Sequence, residues 1–222
     1  MQRKFNFAPG EYYHIYSRGT EKREIFSDTL DYERFLKMLF LSNGTESIVF
    51  RDIPREKIYS YPKGKPLTSI GAYCLMPNHF HLLLKEEGES DISRFVGKLL
   101  TSHSMYFNTK YQRTGSLFQG TFQARHVRDD NYLKYLFAYI HLNPVKMIDS
   151  QWKEKGILDI KRSKDFLSHY KFSSYQDYVG MKREEKMILN VKVFPDYFET
   201  VHTFSDFIDE WLCFKDSNEY IG

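Results

Sequence analysis

Cysteine is nearly absent from this chain: two in 222 residues, Cys74 and Cys213, far apart and outside any C-x-x-C spacing. That excludes a disulfide framework, a zinc ribbon and a dithiol redox motif, and it suits a reducing compartment. Long hydrophobic runs are missing too. No window approaches the ~18 uninterrupted apolar residues of a membrane span, and the opening MQRKFNFAPGEYYHIY has no apolar signal core, so a soluble cytoplasmic protein is expected. There is no internal repeat or low-complexity tract. Strong net charge is also lacking: +3 overall is too small to identify a partner.

What is present is aromatic. Tyrosine and phenylalanine number 17 and 19, within a composition that is 41% hydrophobic and 27% charged, as expected of a folded globular chain. Charge is unevenly placed. Residues 110–164 hold 11 basic and 5 acidic side chains (+6), whereas residues 165–222 hold 6 and 11 (−5).

The aromatic alternation of Glu11–Tyr16 predicts a strand. Ser27-Asp28 offers N-cap chemistry to an amphipathic helix over TLDYERFLKMLFLS, and Gly44 follows its end. Residues 43–68, rich in proline, glycine and charge, predict a long irregular connection. Ile70–Met76 and His79–Lys85 are apolar runs split by Pro77-Asn78, the pattern of a hairpin. A second amphipathic helix is expected over Asp91–Phe107 with Ser90 as its cap, and a strand over Ser116–Val127 interrupted at Gly120. The order β-α-β-β-α-β predicts an α+β fold with a ferredoxin-like antiparallel sheet. A third helix, capped within Asp129-Asp130-Asn131, runs to Pro144. Helices are also expected at 165–180 and 203–215. We divide the chain into a domain over 1–150 and a helical extension over 151–222, packed on the core.

Two places carry chemistry. In a strand, His79 and His81 share a face while Phe80 points away, so two imidazoles can converge on one ion. The same pair equally suits a zinc hydrolase, a cupin-like site or hydrogen-bonded packing. In Tyr139-Ile-His-Leu-Asn143-Pro-Val-Lys146, residues 139 and 143 lie one helical turn apart and offer a phenol and a carboxamide to one place. Packing of Tyr139 in an aromatic core and capping by Asn143 explain that pattern as well. His141, two residues from each, lies on the opposite side of the helix, about 160° round from them, and is expected to pack or to touch a bound partner.

Taken together, YHIYSRGTEKREIF, MPNHFHLLL, YIHLNPVK and KFSSYQDYVG, in this order and spacing from about Tyr12 to Gly180, resemble the REP-associated tyrosine transposases of the HUH class. The resemblance implies a metal-dependent endonuclease and strand transferase acting on single-stranded DNA that carries a hairpin. It implies a divalent cation, Mg²⁺ or Mn²⁺, on His79, His81 and Asn143, and Tyr139 as nucleophile. Tyr135, four residues earlier, gives the spacing of two-tyrosine relatives, but its aromatic neighbours suggest packing. For DNA contacts we nominate Arg18, Arg113, Gln119, Arg125, Lys134 and Lys146, which bring phosphate attraction and base hydrogen bonding to the region around Tyr139. The chain is expected to act as a monomer or homodimer. Two rivals stand beside this reading: a metal hydrolase with water as nucleophile, and a non-catalytic nucleic-acid-binding protein that kept the fold.

Overall fold

The computed structural model describes residues 6–152, 156–157, 159–198 and 200–213. Alternation in the first strand sorts side chains between the two faces of the sheet. In β1 (Tyr12–Arg18), Tyr13 and Ile15 point into one core, while Tyr12, His14, Tyr16 and Arg18 fall on the opposite face. β2 (Thr68–Met76) and β3 (His79–Glu86) form the expected hairpin about Pro77-Asn78. β4 (Gln123–His126) completes a four-stranded sheet of order β2-β3-β1-β4, antiparallel throughout. With α1 (Thr29–Ser42) and α2 (Asp91–Lys110) between strands, this is the ferredoxin-like βαββαβ arrangement that the sequence pattern predicts.

One face of the sheet packs against α1 and α2 through Phe35, Leu39, Phe80, Leu82, Phe95 and Leu99. Asp28 caps α1 in a reciprocal box with Asp31. The Asp31 carboxylate is fully buried and also accepts from Lys110, Tyr106 and Tyr111 at 2.7–3.0 Å, which joins α1 to the end of α2. The cap of α2 differs from expectation. Ser90 sits at φ 64° with no side-chain cap bond, and the buried Glu86 carboxylate instead accepts from the N–H groups of Asp91 and Ile92, both at 2.8 Å. A carboxylate that bridges the strand end to the helix start satisfies two orphan donors and complements the helix dipole.

The opposite face is covered by α3 (Asp130–Leu142), whose Leu133, Leu136, Phe137 and Ile140 pack on Ala72, Cys74, Met76 and Leu83. At roughly 1.5–3 kcal/mol per fully buried side chain, these four contribute about 6–12 kcal/mol before entropic costs. A short 3₁₀ turn over Asn143–Met147 continues the helical path past Leu142.

The fourth strand is shorter than the pattern suggests. Gly120 at φ 70° breaks the run, so only Gln123–His126 pairs with β1, and Phe118 makes a single bridge to Gly19. The helix expected over 165–180 is two, α4 (Ile160–His169) and α5 (Tyr175–Tyr178). Between them the chain extends along the outer edge of β2: Leu75 N–H donates to Phe172 O, and Ser174 N–H donates to Tyr73 O. This covers a strand edge that would otherwise expose unpaired backbone groups. Arg183 clamps the segment, donating to Lys171 O, Ser173 O, Tyr73 Oη and Asp177. α6 (Val201–Cys213) lies near the expected 203–215, residues 214 and 215 falling outside those described. Its Phe204, Ile208 and Leu212 pack with Ala138, Leu142 and Val145 on the outer side of α3. Among the described residues, no helix is long and apolar enough to cross a membrane.

Candidate active site

Cross-strand register puts the histidines on the α3 side. His81 pairs with Tyr16, and His79 with Arg18, so all four share one face with His14. His79 is partly exposed, whereas His81 and His14 are each 6% exposed. The rings of His79 and His81 lie 5.0 Å apart and nearly perpendicular. His79 Nδ1 donates to Asn78 Oδ1 at 2.6 Å, which places its proton on Nδ1 and its lone pair on Nε2.

Helix α3 brings Tyr139 onto this face. Its ring stands edge-on to His81 with centroids 5.4 Å apart, and edge-on to His14 at 5.9 Å. Burial raises the Tyr139 pKa above the ordinary phenol value. The Asn143 carboxamide, Lys146 and Arg125 pull it down, whereas Cys74 pushes it up. Asn143 keeps helical backbone angles and is 2% exposed, so it stays on the Tyr139 face one turn later. Its amide lies close enough to favour the phenolate, yet the buried Nδ2 makes no hydrogen bond of normal geometry. Nδ2 is a donor that faces the Tyr139 oxygen, and the carboxamide Oδ1, with its lone pairs, is the atom chemically suited to a cation. Two imidazole nitrogens and a carboxamide oxygen are donor types that a divalent cation accepts. Among the described residues, no cluster of three or more His, Cys, Asp or Glu side chains is disposed to hold a metal ion.

The remaining nominated residues divide. Arg18 Nε donates to Gln119 Oε1 at 2.7 Å, and Gln119 N–H donates to Arg18 O, so the two form one exposed unit at the His79 end of β1. Arg125 is exposed on β4 opposite His14 and donates to Tyr132 Oη at 3.3 Å. Lys146 is exposed three residues beyond Asn143, in the 3₁₀ turn that follows α3. Two residues are engaged elsewhere. Arg113 donates to Asn108 and lies over Phe107 on α2, while Lys134 pairs with Asp130 at 3.0 Å and sits over Tyr197.

Tyr135 stacks on Tyr132 and meets Tyr139 at a tilt and Trp211 edge-on, with centroids 5.5–6.0 Å away. His141 turns away from the site altogether. It is fully buried, its Nδ1 donates to Phe137 O at 2.8 Å, and its Nε2 meets Ser174 Oγ at 2.7 Å. Sequence reasoning named neither His14 nor Tyr16. The parity of β1, which puts residues 14 and 16 on the same side as Arg18, was the available signal.

An antiparallel βαββαβ sheet with His-x-His on a central strand, faced by a helix presenting a tyrosine, has the layout of a tyrosine transposase. Residues 10–143, well over half of the chain, match the family described as "Transposase IS200 like", and the chain belongs to that family. Among solved structures it resembles a REP-associated tyrosine transposase bound to a REP hairpin, at 16% identity and a TM-score of 0.51, over 83% of this chain and 90% of that one. At that identity the likeness establishes the fold. A second match, to a putative transposase of Deinococcus radiodurans, has 14% identity and a TM-score of 0.37 over 62% of this chain and 94% of that one, and is too distant to support a conclusion. No curated protein matches the sequence.

Proposed function

We propose that this chain cuts and rejoins single-stranded DNA beside a hairpin, with Tyr139 as nucleophile and a divalent cation, Mg²⁺ or Mn²⁺, held by His79, His81 and Asn143. The observation that supports the reading is the Tyr139 ring edge-on to His81, 5.4 Å away, with His79 beside His81 on the same strand face. The hairpin partner is inferred from the fold likeness to the hairpin-bound transposase.

When bound, the cation supplies Lewis-acid stabilisation of the charge that develops on the phosphate oxygens. The rest falls to the chain. The Tyr139 oxygen attacks phosphorus; an oxygen–phosphorus bond forms and the bond to the departing 3′-oxygen breaks, the phenol proton passing to solvent and the 3′-oxygen taking a proton from solvent to become a hydroxyl. Lys146 and Arg125 favour the phenolate and meet the phosphate with positive charge. The resulting 5′-phosphotyrosine conserves the bond energy, so a second 3′-hydroxyl can reverse the step and join strands. Arg18 and Gln119 lie along the DNA path as one unit, and Arg113 and Lys134 contribute to the positive field rather than to the reacting centre. We read residues 1–150 as the catalytic unit and 151–222 as a brace that holds α3 against the sheet.

The test is incubation of the full chain with labelled single-stranded hairpins from its own genomic flanks, with and without Mn²⁺. The expected product is a denaturant-resistant protein–DNA adduct that depends on the cation. Cleavage without an adduct would favour water as nucleophile, and salt-sensitive binding with neither would favour a non-catalytic binding protein.

A further inference from the structure

We infer that His14 is a positioning residue for His81: its ring holds the proton of His81 on Nδ1, so that His81 presents Nε2 to the divalent cation. The inference rests on the reading of His79 and His81 as cation ligands and adds a residue and a tautomer to it.

The geometry is specific. His14 Nε2 and His81 Nδ1 are 2.9 Å apart, and the two rings stack at 5.0 Å with planes 25° apart. Both side chains are buried at 6% exposure, in a setting where an imidazole nitrogen without a partner is costly. Neighbouring rings restrict His14 further: Tyr16 lies 5.0 Å away along the same strand, and the edge of Tyr139 meets it from α3 at 5.9 Å. A hydrogen bond between two neutral imidazoles contains one proton, and its owner decides which atom of His81 carries the lone pair.

His79 indicates which owner it is. Its Nδ1 donates to Asn78 Oδ1 at 2.6 Å, which leaves the lone pair of His79 on Nε2. In His81 the protein again engages Nδ1, this time through His14. Both histidines of the strand are thus engaged at Nδ1 by the protein, and if His14 accepts as Asn78 does, Nε2 of each carries the lone pair. Acceptors behind ligating imidazoles fix the ring and its tautomer, and their loss commonly weakens metal binding by about 10- to 100-fold. If His81 donates, His14 accepts at Nε2 and carries its own proton on Nδ1. Packing alone would not require this residue type, because Leu83, the neighbour of His81 on the same face of β3, is apolar.

Long-range proton–nitrogen NMR of the metal-free full chain at pH 8 tests the tautomer directly. His81 is expected in the Nδ1–H form in the wild type and in His14→Gln, which keeps an acceptor near Nε2. In His14→Phe, which fills the same space without one, the usual Nε2–H form should appear. Mn²⁺ titration monitored by electron paramagnetic resonance should show binding weakened at least about tenfold in His14→Phe and restored to within about threefold in His14→Gln. An Nε2–H form of His81 in the wild type overturns the inference, even if neither variant folds. So does Mn²⁺ binding in folded His14→Phe as tight as in the wild type. Three imidazole nitrogens in the Mn²⁺ signal would also overturn it, by making His14 a ligand. If the wild type binds no Mn²⁺, the proposed function fails with it; if the wild type binds and His14→Phe binds equally, only the role of His14 is lost.

Discussion

His141 sits between the proposed nucleophile and its neighbour Asn143, and the structure makes its effect on stability calculable. Burial lowers its pKa from 6.5 to about 3, against a smaller opposing effect from its hydrogen bond to Phe137 O. The folded protein therefore refuses a proton that the unfolded chain accepts. Above pH 6.5 this costs nothing; as pH falls below 6.5, stability drops by about 1.4 kcal/mol per unit, reaching about 2 kcal/mol by pH 5. His103, buried against Ile25 O with its pKa lowered to about 4, adds a second loss of the same sign and of about 2 kcal/mol by pH 5. Urea unfolding of the wild type and of His141→Phe at pH 8, 7, 6 and 5 isolates the first term. Whatever its absolute stability, the variant should lose about 2 kcal/mol less than the wild type between pH 8 and pH 5. Identical pH slopes would refute the reasoning and mean that His141 is protonated or solvated in the fold. A steeper fall in activity than in global stability on acidification would show α3 loosening first, since His141 ties that helix to Ser174.

Three other contacts yield measurable outcomes. Glu86→Ala removes two N–H acceptors from the start of α2 and should cost about 2–4 kcal/mol in urea unfolding, with Glu86→Gln losing roughly half as much; a loss under about 1 kcal/mol would contradict the capping role. Gly71→Ala would bring a Cβ within 2.7 Å of the Phe194 ring, so about 1–3 kcal/mol of destabilisation is expected, together with faster proteolysis around residues 191–198. Because Arg18 and Gln119 hold each other, their alanine variants should weaken single-stranded DNA binding non-additively, with a coupling of about 0.5–3 kcal/mol in a double-mutant cycle; strict additivity would separate them.

The sheet and its two backing helices were legible because period-2 and period-3.6 patterns are written locally, and Pro77-Asn78 and Gly120 punctuate them. The cap of α2 was not legible. Ser90 has the right chemistry next to the helix, but Glu86 reaches across the turn, and only the fold brings that strand end to the helix start. The break between α4 and α5 was hidden for a similar reason. Residues 172–174 leave the helical path because the edge of β2 offers them backbone partners, a tertiary reward that local propensity does not record. Within the site, shared-face arguments placed His79 with His81 and Tyr139 with Asn143. That the helix lies over that strand, with Tyr139 edge-on to His81, depends on contacts some sixty residues apart in sequence. His14 escaped notice because a single histidine among strand tyrosines carries no signal until the register sets it against His81.

The central claim is that Tyr139, and not its neighbour Tyr135 one turn earlier, attacks DNA. Mass spectrometry of the trapped adduct after proteolysis and nuclease trimming tests this most directly, with Tyr139→Phe and Tyr135→Phe run in parallel. The account predicts a phosphonucleotide on Tyr139, its disappearance in Tyr139→Phe and its persistence in Tyr135→Phe. A phosphonucleotide on Tyr135, or an adduct that survives Tyr139→Phe, would contradict it.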